Sequence, residues 1–171
     1  MRSRTVAIIA SFLAYPCVAR TQARPDFSGE WTRVDSAAEQ RSVATVGDGA
    51  FRAGDMGGGW GSPLTLRQEA NRFVVEYTYF STYDLQPKVT FAYAVDGSES
   101  RNTIMIGHAA SVARSRATWR DSTLVITTTW PAPRGVTGAE VRQVLTLESP
   151  TSLLIETTRG TTTTRTRYRK G

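Results

Sequence analysis

The stretch Phe73-Val74-Val75-Glu76-Tyr77-Thr78-Tyr79-Phe80 decides the fold. Phe73, Val75, Tyr77 and Tyr79 fall on one face, and Val74, Glu76, Thr78 and Phe80 on the other. A two-residue repeat of aromatic and β-branched side chains is a strand, because successive side chains of an extended chain point to opposite faces of a sheet. Just upstream, Ala70-Asn71-Arg72 is a turn, and residues 64–69 form the strand before it. Downstream, after a loop at 81–87, Lys88 to Val95 repeats the pattern with Val89, Phe91, Tyr93 and Val95 on one face.

The same period runs to the end of the chain. Asp96-Gly97 begins a turn, and Asn102 to Ile106 reads as a short strand. Ala113–Trp119 leads through Arg120-Asp121-Ser122 into Thr123–Trp130. An irregular stretch at 131–138 follows, then a hairpin of Glu140–Glu148 and Ser152–Thr158 around Ser149-Pro150-Thr151. Arg159-Gly160 turns into a last strand, Thr162–Arg169. Short sequential loops favour antiparallel neighbours, and no amphipathic helix interrupts them. The sequence therefore predicts an all-β fold, an antiparallel up-and-down meander of about 8–10 strands that twist curls into a barrel. In Ala113–Trp119, Arg114, Arg116 and Thr118 share one face. The charge cost of burying arginine turns that face outward and leaves Ala113, Ser115, Ala117 and Trp119 inside.

Upstream of the meander, residues 36–62 are rich in Ala, Gly, Ser and Asp without a sustained period, and end in Gly54-Asp55-Met56-Gly57-Gly58-Gly59-Trp60-Gly61. The glycine run lacks the Gly-Lys-Ser/Thr ending of a phosphate-binding loop. It reads as a long connection whose Trp60 tucks back over a barrel mouth. Residues 1–23 carry Arg2 and Arg4, a short apolar run from Val6 to Ala14, then Pro16 and small residues. That is the pattern of a cleaved signal peptide, too short for a membrane span. The expectation is an exported, secreted or periplasmic protein with one barrel domain over 24–171.

Cleavage after Ala23 removes Arg2, Arg4 and Arg20. Of 21 basic residues 18 remain against 15 acidic ones, so the charge falls from +6 to +3. A charge that small gives no footprint for nucleic acid. The single cysteine, Cys17, leaves with the signal, so a packed core and not disulfides must stabilise the mature chain.

The two ends carry further information. Phe27-Ser28-Gly29-Glu30-Trp31 places two aromatic anchors around a glycine that another chain can approach closely. The far end reads Thr164-Arg165-Thr166-Arg167-Tyr168-Arg169. A first strand with Gly-x-Trp and a last strand with Arg near Tyr resembles the calycins, which include the lipocalins, fatty-acid-binding proteins and avidins. The resemblance implies an antiparallel barrel closed where Trp31 meets Arg165 or Arg167. The chain departs from the fatty-acid-binding pattern at Thr166, where Arg would stand two residues before Tyr168. Three further stretches, Tyr83-Asp84-Leu85-Gln86-Pro87, Asp96-Gly97-Ser98-Glu99-Ser100-Arg101-Asn102-Thr103 and Leu147-Glu148-Ser149-Pro150-Thr151-Ser152-Leu153, resemble a group of exported bacterial proteins. That likeness implies export and a β fold and adds nothing on chemistry.

Candidate chemistry is sparse. His108 is the single histidine, which leaves no zinc site and, without a Gly-x-Ser-x-Gly elbow, no serine triad. An axial haem ligand at His108 and a carboxylate pair of Glu76 with Asp84 are conceivable, but their sequence spacing carries neither. No catalytic residue, metal or cofactor is assigned. The best functional candidates are Tyr77, Tyr79, Phe91 and Tyr93, with Trp60 at the mouth. Tyrosine joins an apolar body to a polar tip, which suits the wall of a cavity for a small apolar or amphipathic ligand. The alternative is a structural or interaction domain of the cell envelope whose aromatics simply fill the core.

Overall fold

The computed structural model describes residues 24–34, 60–78, 88–106, 109–131 and 138–171. The fold is all-β. Its ten strands are β1 (Gly29–Arg33), β2 (Leu64–Gln68), β3 (Arg72–Thr78), β4 (Lys88–Ala94), β5 (Asp96–Ile106), β6 (Ala109–Arg120), β7 (Thr123–Thr129), β8 (Glu140–Ser149), β9 (Ser152–Arg159) and β10 (Thr162–Lys170). They form one antiparallel, nearly closed, barrel-shaped sheet in the order β4-β3-β2-β1-β10-β9-β8-β7-β6-β5. No helix occurs among the described residues.

One face of each strand is apolar and builds the core. Phe73, Val75 and Tyr77 of β3 and Phe91 and Tyr93 of β4 are buried, as the two-residue repeat predicts. Ala113, Ser115 and Ala117 of β6 are buried, while Arg114 and Arg116 lie on the exposed face. Leu124 and Ile126 of β7, Leu145 of β8 and Leu153 and Ile155 of β9 complete the opposite wall. At one end the segment before β1 crosses under the barrel. Phe27 stacks on Trp119 at 5.6 Å and meets Phe73 edge-on at 6.1 Å. The Gln68 carboxamide ties this segment down, accepting from the Phe27 amide (3.2 Å) and donating to the Pro25 carbonyl (3.0 Å).

The sequence predicts a turn at Asp96-Gly97 and a strand only from Asn102. The turn instead falls on Val95, and β5 begins at Asp96. A register shift between Asp96 and Glu99, with Gly97 at φ 88°, breaks the alternation that sequence reading relies on.

The two chain ends meet. β1 pairs β10 with Trp31 opposite Lys170 and Arg33 opposite Tyr168. Trp31 is fully buried and its indole N–H donates to the Phe27 carbonyl at 2.8 Å. The cation over its ring is not an arginine: the Lys170 ammonium lies 5.5 Å from the ring centroid. This corrects the expectation for Arg165 and Arg167, and strand parity is the reason. Thr166 and Tyr168 point inward, so the odd-numbered arginines beside them point out. Arg165 there meets Glu156 at 2.7 Å and Arg167 meets Glu148 at 3.1 Å. Gly29, at φ 135°, leaves the space through which Lys170 passes. A Cβ there would stand 2.5 Å from Lys170 Cε.

Candidate functional site

Three strand residues singled out from the sequence come together inside the barrel. Tyr77 and Phe91 stack at 6.1 Å and 17°, and Phe91 and Tyr93 at 6.3 Å and 14°. They meet because β3 and β4 pair with Val75 opposite Phe91 and Phe73 opposite Tyr93, which sets these aromatics on one wall. Trp130, just past β7, meets Phe91 edge-on at 6.3 Å. Tyr79 lies outside the described residues, as do His108, Asp84 and the 1–23 segment. Glu76 is on the other face of β3, beside Lys88 (3.3 Å) and Arg67 (3.9 Å), as a surface acid.

Trp60 is deeper than a rim residue. It is 7% exposed and its ring lies 6.3 Å from that of Tyr93. It is supplied by the segment before β2, not by a strand. The Tyr168 hydroxyl donates to its backbone carbonyl. Burial pushes the Tyr93 hydroxyl far above the usual phenol range, and a hydrogen bond with the Trp60 side chain opposes this only in part.

Facing this wall is a polar group of inward residues: Thr128, Gln143, Thr157 and Arg159. The Thr128 hydroxyl shares a 2.9 Å hydrogen bond with that of Ser115. Arg159 continues the inward phase of Leu153, Ile155 and Thr157, and burial lowers the pKa of its guanidinium. Between the two walls, bounded by Trp60, Phe91, Tyr93 and Trp130 on one side and Gln143 and Arg159 on the other, is a void of about 20 Å³. A larger cleft of about 380 Å³ lies outside the far end, among Arg24, Asp26, Gln68, Glu69, Ala70 and Trp119. Its charged and amide walls do not suit an apolar guest, so the small interior void marks the candidate site. Among the described residues no three His, Cys, Asp or Glu side chains gather as metal ligands. No helix of the described residues is long and apolar enough to cross a membrane.

No protein-family model and no curated protein sequence matches the chain. Solved structures do. Secretory abundant heat soluble protein 4 from Ramazzottius varieornatus superposes with a TM-score of 0.53 at 16% identity, over 84% of this chain and 94% of that one. A mutant of the fluorescent protein UnaG gives 0.53 at 18% identity, over 85% and 96%. Apo lipid binding protein 8 from Caenorhabditis elegans gives 0.52 at 13% identity, over 85% and 95%. What they share with this chain is the fold, a nearly closed antiparallel β-barrel. At these identities the likeness concerns the path of the chain and not its chemistry. Trp130, Gln143 and Arg159 were not singled out from the sequence. For Gln143 and Arg159 the signal was present, a polar residue on the inward phase of an otherwise apolar strand.

Proposed function

We propose that the barrel interior binds a small apolar or amphipathic molecule without covalent chemistry. Trp60 would close the space over the guest. One observation carries this reading. The stacked row Tyr77–Phe91–Tyr93 ends at a void stoppered by a tryptophan from outside the strands, with Gln143 and Arg159 across the gap. An apolar wall facing a few convergent polar groups is the usual construction of a small-molecule site. The solved structures of similar fold include a protein named as lipid binding. Export by the 1–23 segment belongs to the same reading, and N-terminal sequencing of the exported chain would test it.

Trp60→Ala enlarges the void, so it should lower the melting point yet increase binding of a fluorescent fatty-acid analogue. Tyr77→Ala and Phe91→Ala should weaken that binding. If neither the parent nor Trp60→Ala takes up the fatty-acid analogue, haem or aromatic dyes, the reading fails.

A second reading, a structural or interaction domain, is favoured by the volume itself. About 20 Å³ is room for roughly one water, so the interior is closely packed while Trp60 is in place. Trp60→Ala that loses stability and gains no ligand would be its signature.

A further inference from the structure

The sheet has two outer strands, β4 and β5, and each of the other neighbouring pairs shares a backbone ladder. β4 and β5 are consecutive in the chain and joined through Val95 alone, so their edges lie side by side. Yet among the described residues neither is a ladder partner of the other. Side chains bridge them instead. The Asn102 carboxamide oxygen accepts from the Ala92 amide at 2.8 Å, and its nitrogen donates to the Ala92 carbonyl at 3.2 Å. The Ser100 hydroxyl accepts from the Ala94 amide at 2.8 Å. Asn102 is 6% exposed. With one acceptor and one donor it imitates a peptide unit, but it hangs on rotatable bonds. It can swing away without disturbing the ladder that β5 makes with β6, in which Asn102 faces Ala113.

These bridges lie in the half of the seam nearer Val95. The seam opens on the aromatic wall, because Phe91 and Tyr93 flank Ala92 on β4 and Ile104 follows Asn102 on β5. Among the described residues two other approaches are obstructed. Phe27 and Trp119 stopper the far end, clamped through Gln68, and Trp60 is held by Tyr168 and Tyr93.

We propose that the β4–β5 seam is a side door to the barrel interior, with the Asn102 carboxamide as its latch. The proposal rests on the ligand-binding reading above and adds the route by which the guest arrives. Among the described residues opening breaks side-chain bridges alone, whereas parting any other pair of neighbours breaks a backbone ladder. Asn102 is a positioning residue here and need not touch the guest.

The test compares the parent protein with Asn102→Ala and, as a milder change should that variant fold poorly, Ser100→Ala. Hydrogen exchange comes first. In Asn102→Ala, amides of β4 and β5 should exchange about tenfold faster, the scale of losing a buried hydrogen-bonded group, while β8 and β9 keep their protection. Stopped-flow mixing with a fluorescent fatty-acid analogue comes second. A door alters passage and not affinity, so association and dissociation should quicken by the same factor with Kd unchanged. Faster exchange spread evenly over all strands would make Asn102 a merely structural residue and overturn the proposal. Binding with unaltered rates overturns the door alone. No binding by the parent, by these variants or by Trp60→Ala overturns the door together with the ligand reading.

Discussion

The barrel is closed twice, and the two closures are built differently. Where β1 meets β10, a backbone ladder is reinforced by a fully buried Trp31, a lysine ammonium across its ring and flanking bonds from Val34 to Arg167 and from Gly171 to Glu30. Where β4 meets β5, the backbone groups find an amide and a hydroxyl from side chains. The first junction joins residues from opposite ends of the chain and needs large apolar contacts to offset the entropy of bringing them together. The second joins strands already tethered by Val95, so light bridging suffices. Closure strength follows the distance along the chain that each junction must span.

Trp31→Ala attacks the stronger closure most directly. Emptying a fully buried indole site should cost about 3–5 kcal/mol, and thermal denaturation should show a fall of roughly 10 °C for a domain of this size. Gly29→Ala probes the same junction without touching the ring. Its positive φ and the contact with Lys170 should cost about 1–3 kcal/mol in urea denaturation. On the other side, Tyr93 of β4 makes the barrel sensitive to alkali. Its pKa is raised in the folded chain, so its stabilising share is complete below the unfolded value near pH 10 and is lost as pH rises beyond it. A single such group gives a slope of about 1.4 kcal/mol per pH unit, and Tyr93→Phe should flatten the denaturation midpoint between pH 10 and 11 by that share. The smallest effect separates two cations. Lys170→Ala should cost about 0.5–1 kcal/mol through the lost contact with Trp31. Arg167→Ala, removing an exposed pair with Glu148, should leave the midpoint unchanged at physiological salt. Equal losses in the two variants would contradict the parity that places Lys170, and not the arginines, over the indole.

Much of this was legible in the sequence for a physical reason. Phe73, Phe91 and Ala113 sit on strands with one buried face, where a two-residue period leaves no freedom about which side turns in. The meeting of the two ends followed from the aromatic anchors at Phe27 and Trp31. The cation was misread because residue type was followed and register was not. Tyr168 on the inward phase already sends Arg165 and Arg167 outward and brings Lys170 to Trp31. Trp60 could be assigned to the barrel but not to its interior, since a segment without periodicity carries no phase. Asn102 gave little warning. It stands between Arg101 and Thr103 in a strand whose alternation the bulge at Asp96–Glu99 interrupts, and its role depends on a neighbour across a junction that has no ladder.

The pairing of Gly29–Arg33 with Thr162–Lys170 also sets an order of events during synthesis. A chain whose final strand has not yet emerged leaves both β1 and β9 with an unpaired rim, and such rims template aggregation. The β1–β10 pairing joins opposite ends of the chain, and so distant a contact forms slowly as well. A protein wired in this way gains from being held unfolded by a holdase until its last residues are free, and a truncation just short of Thr162 should send a larger share of the protein into inclusion bodies than the full chain does.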